Sequence, residues 1–511
     1  MNAKRILCAL LAAMLSLGVL VSCASGSKTD TPTTTASVGN ATDAADTTGD
    51  TEPAETGRES VKDALPEGLR FDGETVNIVY RNEIWYETWD TIGTDNSGDM
   101  IQDAIWQRNL NVEERFGITL NLQPTQTTGL SNVGAEIKQM VMAGSDEFDM
   151  IVSTGNSTVT QGIYPYVYEL SNLKYLNIDQ PWWRDNAIRA LSFDGQHYRF
   201  LMGDNTLNDY LKCGAMLYNK AIYEDVFGDP DEPYKLVLDG TWTWDKVMEM
   251  CEASYNDANG DGQLNRGDVF GLIWTGNDVM THVVMSCNPD LFVYTEAGVP
   301  DLSAFNSERN VAVIEKLIQV FHGTSGVWLS DVNVDNAYKY FAQDESLLYT
   351  CRFSNLVSAA MREMESDYGV LPLPKFDTDQ KEYVTNIQSS ATITCLPKTV
   401  PNSRIDMVDA VLEGWASEAY RVVLTPFIET ALKLKYSRDA LSGQVIDIVF
   451  DTAGLNFLEM YSDPTGGIFS TGLVNQVSSG KQNFASIVKK LLPAAQKQLD
   501  SYIEKNVLSG E

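Results

Sequence analysis

The sequence predicts an α/β protein with a parallel, doubly wound sheet, its chain shared between two lobes or domains. Between Thr75 and Val152, runs of strand character alternate with stretches of helical period, and such alternation builds parallel sheets with helices on both faces. The second observation is size, since 511 residues exceed what one ordinary core organises. The third is composition: 43% hydrophobic and 10% aromatic residues are those of a folded globular chain.

Taken in order, Thr75-Val-Asn-Ile-Val-Tyr80 reads as the first strand. A helix follows from Ser97 to Phe116, with Ile101, Ala104, Ile105 and Val112 on one face, Ser97 or Asp99 as cap, and Gly117 as its stop. Ile118 to Leu122 alternates like a second strand, Gly134 to Ala143 is a shorter helix, and Phe148 to Val152 is a third strand. In open α/β sheets ligands sit beyond the carboxyl ends of strands. That rule points to Arg81, Asn82, Glu83 and Trp85 after the first strand and to Ser153, Thr154, Gly155 and Asn156 after the third. Ordinary loop polarity is the competing reading for each. Pro181-Trp-Trp183 offers two aromatics for packing or for stacking on a sugar, and Tyr198 to Met202 looks like a strand. Further strands are read at Ala215–Asn219, Glu345–Tyr349 and Ala391–Pro397, and a helix from Asn355 to Glu365.

The first segment is an address. Lys4 and Arg5 precede an uncharged run from Ile6 to Val21, the length of a signal-peptide core. The run ends in Leu20-Val-Ser-Cys23, which is similar to the bacterial lipobox and makes Cys23 the candidate for lipidation. Residues 24–69 are rich in Thr, Ser, Ala and Asp and carry no aromatic, the composition of a disordered tether. The expected location is the extracellular face of a bacterial membrane, with the N-terminal lipid as the only membrane contact. A net charge of −33 opposes binding to nucleic acid. Five scattered cysteines beyond the address (Cys213, Cys251, Cys287, Cys351 and Cys395) form no disulfide framework and read as buried thiols, with one bridge left open.

Between Leu217 and Leu272 a buried strand, a capped helix and an acidic loop follow one another. Thr243 is a good N-cap, and Trp242 can pack on Val247 as a hydrophobic staple. The loop matches the twelve-residue calcium pattern: Asp257, Asn259 and Asp261 at places one, three and five, and Gly262 at the sharp turn. Gln263 (through its carbonyl), Asn265 and Asp268 complete it. Calcium takes six or more hard oxygens, and this spacing can wrap them around one point. Asp in place of Glu at the twelfth position shortens the last arm, and a solvated turn is the competing reading. The expected role of Ca²⁺ is structural.

The order of these pieces resembles the extracellular solute-binding lipoproteins of ATP-driven (ABC) importers, in the group that handles sugars and oligosaccharides. The resemblance rests on the lipobox and tether, Asp103-Ala-Ile-Trp-Gln-Arg-Asn109, Phe148-Asp-Met-Ile-Val152, Pro181-Trp-Trp183 and Leu217-Tyr-Asn-Lys220. It continues through Thr241-Trp-Thr-Trp-Asp245, the acidic loop running into Asp268-Val-Phe-Gly271, and Tyr368-Gly-Val-Leu-Pro-Leu-Pro-Lys375. It implies the two-lobed periplasmic-binding-protein type II fold. Lobe I would hold residues 70–200 with 368–425, and lobe II residues 201–367 with 426–511. By motif it adds Asp204, Asn205, Arg352 and Phe353 as ligand contacts, although the aromatic at the last position differs from relatives. It further implies a monomer, without catalysis, that passes its solute to ABC permease subunits. A glycosidase, an adhesin, or a receptor for peptide or another small polar solute are the alternatives.

Overall fold

The structure is a computed structural model, and it describes residues 57–82, 91–128, 133–160, 162–296, 298–332, 334–428 and 440–507. Nine strands build its two main sheets: β1 (Thr75–Asn82), β2 (Thr119–Thr128), β3 (Met150–Thr154), β4 (Gly214–Asn219), β5 (Phe270–Trp274), β6 (Val327–Leu329), β7 (Ser346–Arg352), β8 (Tyr368–Leu371) and β9 (Thr392–Cys395). The helices that matter for the argument are α1 (Met100–Phe116), α2 (Val133–Met142), α3 (Gly155–Thr160), α4 (Trp244–Ser254), α5 (Asn277–Ser286), α6 (Asn402–Val422) and α7 (Phe484–Asn506). Both sheets belong to one compact unit, Glu55–Glu511.

Lobe I is a four-stranded sheet in the order β9-β3-β1-β2. β1 runs parallel to both neighbours, in register Val76 to Leu120 and Ile78 to Met150. β1 shows why the sheet must be covered twice: Val76, Ile78 and Tyr80 share a core with Val112 and Phe116 of α1 and Trp415 of α6, whereas Val79 shares the other core with Val133 and Ile137 of α2. The expected parallel sheet is therefore present, with one departure: β9 returns from the C-terminal part of the chain and pairs antiparallel with β3. Asp99 caps α1 by accepting from the Ile101 and Gln102 N–H groups, and Gly117 ends it at φ 68°.

Lobe II is a five-stranded mixed sheet, β8-β4-β7-β5-β6. β4 is buried along its whole length and antiparallel to β8 and β7, while β5 runs parallel to β7 and β6. Thr243 caps α4, and the staple partners Trp242 and Val247 are both fully buried.

Four expectations change. Tyr368–Leu371 pairs with Met216–Asn219, so it belongs to lobe II, and the return to lobe I falls between residues 371 and 392 instead of at 368. The ladder to β4 ties this stretch to lobe II, which the resemblance by motif does not show. Residues 57–69, assigned above to the tether, pack on lobe I: Leu65 is 7% exposed within the core of Val112, Phe116 and Trp415. Asp63 pairs with Arg115 through two 2.7 Å contacts and accepts from Ser417. Burial works against its charge, yet the Arg115 and Ser417 hydrogen bonds overcome this and hold the carboxyl down at about 2. Tyr198–Met202 forms no strand; Leu201 makes an isolated bridge to Thr394. Lastly, the helix read over Asn355–Glu365 is two short ones, Phe353–Leu356 and Ala359–Glu363. The five cysteines are free and buried. No helix among the described residues is long and apolar enough to cross a membrane.

Candidate ligand-binding site

The carboxyl ends of β1, β3 and β7 are tied to the returning segment 386–391. Arg81, 7% exposed at the end of β1, donates through Nη1 to Thr154 Oγ1 and to the Ser390 carbonyl, each at 2.9 Å. The first N–H groups of α3 meet the same segment: Gly155 donates to the Ala391 carbonyl and Asn156 to the Ser389 carbonyl, both at 2.8 Å. Only glycine fits at 155, because a Cβ there would lie 2.9 Å and 3.0 Å from the Ser389 and Ala391 carbonyl oxygens.

Lobe II grips the segment from its other side. Arg352, the last residue of β7, donates through Nη1 to Gln388 Oε1 at 2.5 Å, and the Gln388 N–H donates to the Lys212 carbonyl. Ser390 Oγ also donates to Gln388 Oε1, which closes a relay Arg81–Ser390–Gln388–Arg352 from lobe to lobe. His282 of α5 bonds the Asn386 carbonyl through Nδ1 at 3.0 Å. Burial and the Arg352 charge push its pKa down to about 3, so the ring is neutral. Glu459 accepts from the Ser389 N–H and from Asn386 Nδ2, and burial raises its pKa.

Beside this seam lies the first crossing between the lobes, which carries a second buried charge cluster. Arg184 Nε donates to Asp209 Oδ2 at 2.6 Å and its guanidinium lies 4.2 Å from the centre of the Tyr210 ring. Tyr210 donates its hydroxyl to Asp204 Oδ1 at 2.8 Å. Burial, reinforced by the Asp209 charge, overcomes the pull of Arg184 and pushes the Asp204 carboxyl up to about 7. Asp204 Oδ2 and Asp209 Oδ1 are buried without a hydrogen-bond partner, which leaves acceptors available at the crossing. Together the two clusters place donors and acceptors in a low-dielectric seam, where each hydrogen bond to a polar solute counts for more than in water.

Of the candidates read from sequence, Arg81 and Thr154 are in direct contact, Arg352 joins them through Gln388 and Ser390, and Asp204 lies in the crossing cluster. Asn205 and Phe353 do other work. Asn205 Nδ2 donates to Thr394 Oγ1 and its carbonyl accepts from Arg108, which fastens the crossing to lobe I. The Phe353 ring is fully buried, 4.8 Å from that of Phe450, and offers no face to a sugar. Trp182 and Trp183 are also buried, each donating its indole N–H to Glu413. Asn82 ends β1; its side chain, Glu83, Trp85 and Cys23 lie outside the described residues. Gln388, Ser390, Lys212, His282 and Glu459 were missed, and the polar run Gln388-Ser-Ser390 before an apolar strand was the available signal.

In the acidic loop, Asp257 accepts from the Gly260 and Gly262 N–H groups, at 2.7 and 2.8 Å. Asn259 accepts from the Asp261 N–H, Asp261 from the Gln263 N–H and from Asn265 Nδ2, and Asp268 Oδ2 from the Asn265 N–H. Gly262 takes the left-handed turn at φ 73°. Asp268 is 2% exposed, and its Oδ1 has no partner. Among the described residues, no group of three or more His, Cys, Asp or Glu side chains is arranged to hold a metal ion.

No family model matches the chain, and no curated protein does. Solved structures do match. A cyclo/maltodextrin-binding protein complexed with maltotetraose aligns with a TM-score of 0.52 at 13% identity, over 85% of this chain and 99% of its own. An ABC-transporter solute-binding protein from Thermotoga lettingae, bound with α-D-tagatose, gives 0.51 at 15% identity over 83% and 100%. The fold is that of the ABC-transporter solute-binding proteins. A maltose/maltodextrin-binding domain from Bdellovibrio bacteriovorus bound to maltotriose gives the same score at 12% identity, again over 83% and 100%. At these identities the likeness is one of architecture: two α/β lobes with the type II arrangement.

Proposed function

We propose that the protein is the solute-binding component of an ABC importer, and that it captures a sugar or oligosaccharide between its lobes for delivery to a membrane permease. The observation that carries this reading is the relay Arg81–Ser390–Gln388–Arg352, which links the strand ends of both lobes through the segment that crosses between them. A solute that inserts hydroxyls into this relay bonds to both lobes at once and favours their closure. The ligands bound in the matching structures, tagatose, maltotriose and maltotetraose, fit such donors and acceptors. The same reading makes the protein a monomer without catalysis, anchored through lipid on Cys23 at the extracellular face of a bacterial membrane.

Thermal shift and calorimetry against mono- and oligosaccharides test it, with product analysis of the same mixtures. Saturable binding without turnover that weakens in Arg352→Gln supports the reading. Release of new reducing ends would establish a glycosidase instead. Binding only of peptides or of other polar solutes would keep the receptor and replace its ligand.

We further propose that Asp257, Asn259, Asp261, Gln263, Asn265 and Asp268 hold a structural Ca²⁺ that stiffens lobe II. Two features support it: Asp257 bends the loop round its own carboxylate, and Asp268 keeps a buried oxygen without a donor. The ion would draw together carboxylates that now bond to loop N–H groups. A rise in melting temperature with calcium, lost in the Asp257→Ala, Asp261→Ala double variant, is the expected result. An unchanged wild-type melting temperature across millimolar calcium would count against the site.

A further inference from the structure

A pocket lies away from the crossing segment, beside the connection that leaves β9. Its volume is about 560 Å³, and Tyr164, Tyr168, Phe193, Arg199 and Lys398 line it together with Ile503 near the end of α7. Arg199 is 9% exposed. Its Nη1 donates to the Val167 carbonyl at 2.8 Å, its guanidinium lies 4.9 Å from the centre of the Tyr164 ring, and its Nε is buried with no acceptor. Among the described residues Arg199 makes no ion pair with any carboxylate, and neither does Lys398.

That is an unusual state for a buried arginine. A desolvated guanidinium normally sits against a carboxylate, and this chain carries 70 acidic residues against 37 basic ones. Lys398 adds a second cation to the same pocket, and burial and the Arg199 charge both lower its pKa. Two carboxylates and a histidine also line the pocket, but the acids are committed elsewhere. Asp194 accepts from the Gln196 and His197 N–H groups and from Ser192 Oγ, and contacts the His197 ring. Those contacts overcome burial and hold it down at about 2. Glu169 accepts from the Ser171 N–H and Asn172 Nδ2. The cations are left with donors to spare and the acids are not.

We propose that this pocket binds a small anion bearing a carboxylate or phosphate group, seated between Arg199 and Lys398 with its remaining surface on the Tyr164 and Phe193 side. Arg199 supplies the buried, directional donors, since a guanidinium matches planar oxyanions, and Lys398 closes the pocket from its exposed rim. The pocket is lined from both lobes and shares no lining residue with the relay of Arg81, Ser390, Gln388 and Arg352.

Calorimetry on the full chain at low ionic strength, with inorganic phosphate in one arm and glucuronate in the other, tests the assignment. Saturable binding in either arm, weakened about tenfold in Lys398→Gln through loss of one charge-assisted contact, supports it and names the anion class. Lys398 is exposed, so this variant folds; Arg199→Lys, which keeps the charge and loses the fork, should weaken binding as well. No saturable binding in either arm, or binding that both variants leave at wild-type strength, overturns it. Titration of a neutral sugar into Lys398→Gln reports on the cleft alone, which keeps a failure there distinct from a failure here.

Discussion

Glu413 is the residue whose substitution should show most clearly how lobe I is held. It stands on α6, 2% exposed, and accepts the indole N–H groups of Trp182 and Trp183 at 3.1 and 2.8 Å. Burial pushes its carboxyl from 4.5 up to about 7, despite those two bonds and one from the Asn177 N–H. The folded-state value lies above the unfolded one. The carboxyl therefore costs nothing below about pH 4.5, and its cost grows as the pH rises through 7. The full penalty above that range is about 3 kcal/mol, from 2.5 units at about 1.4 kcal/mol each. Glu413→Gln does not titrate, and its amide nitrogen replaces one of the two oxygens that accept from the indoles, a cost that is the same at every pH. Urea denaturation followed by tryptophan fluorescence should find the stability of the variant relative to wild type rising by up to about 3 kcal/mol between about pH 4.5 and about pH 8.5. A relative stability that stays flat or falls over that range would refute the reasoning, for it would mean that the carboxylate carries its charge in the fold at no cost.

Two further outcomes follow from the packing. Gly155→Ala drives a Cβ into the Ser389 and Ala391 carbonyls; it should cost about 1–3 kcal/mol of stability and weaken solute binding, and calorimetry that found wild-type affinity would detach the 386–391 segment from the site. Leu65→Ala should lower stability by about 2–3 kcal/mol, read from denaturant midpoints; no change would mean that residues 57–69 are not part of the lobe I core.

The elements that could be read from sequence are those whose signal is local. α1 announced itself by period, by its Asp99 cap and by its Gly117 stop, and α4 by Thr243 and the Trp242 staple. That Arg81 and Thr154 stand at strand ends was legible, because the end of a parallel strand is a position that pattern alone defines. That Asn205 bonds Thr394 and Phe353 packs on Phe450 was not legible, because both partners lie far along the chain. The same distance hid Gln388 and Ser390: a short polar run has no period, and nothing near it in sequence says that both lobes bond to it.

What the sequence by itself determined was the class of fold, the position of the strands of lobe I, and the spacing of the acidic loop, since each depends on contacts within a few turns of chain. Tertiary structure alone decided the antiparallel return of β9, the membership of Tyr368–Leu371 in lobe II, the packing of residues 57–69, and the joining of Arg81 to Arg352 through the crossing segment. Those depend on which distant edge or charge a segment meets, and that is settled by the burial of strand edges and side chains once both lobes have closed their cores.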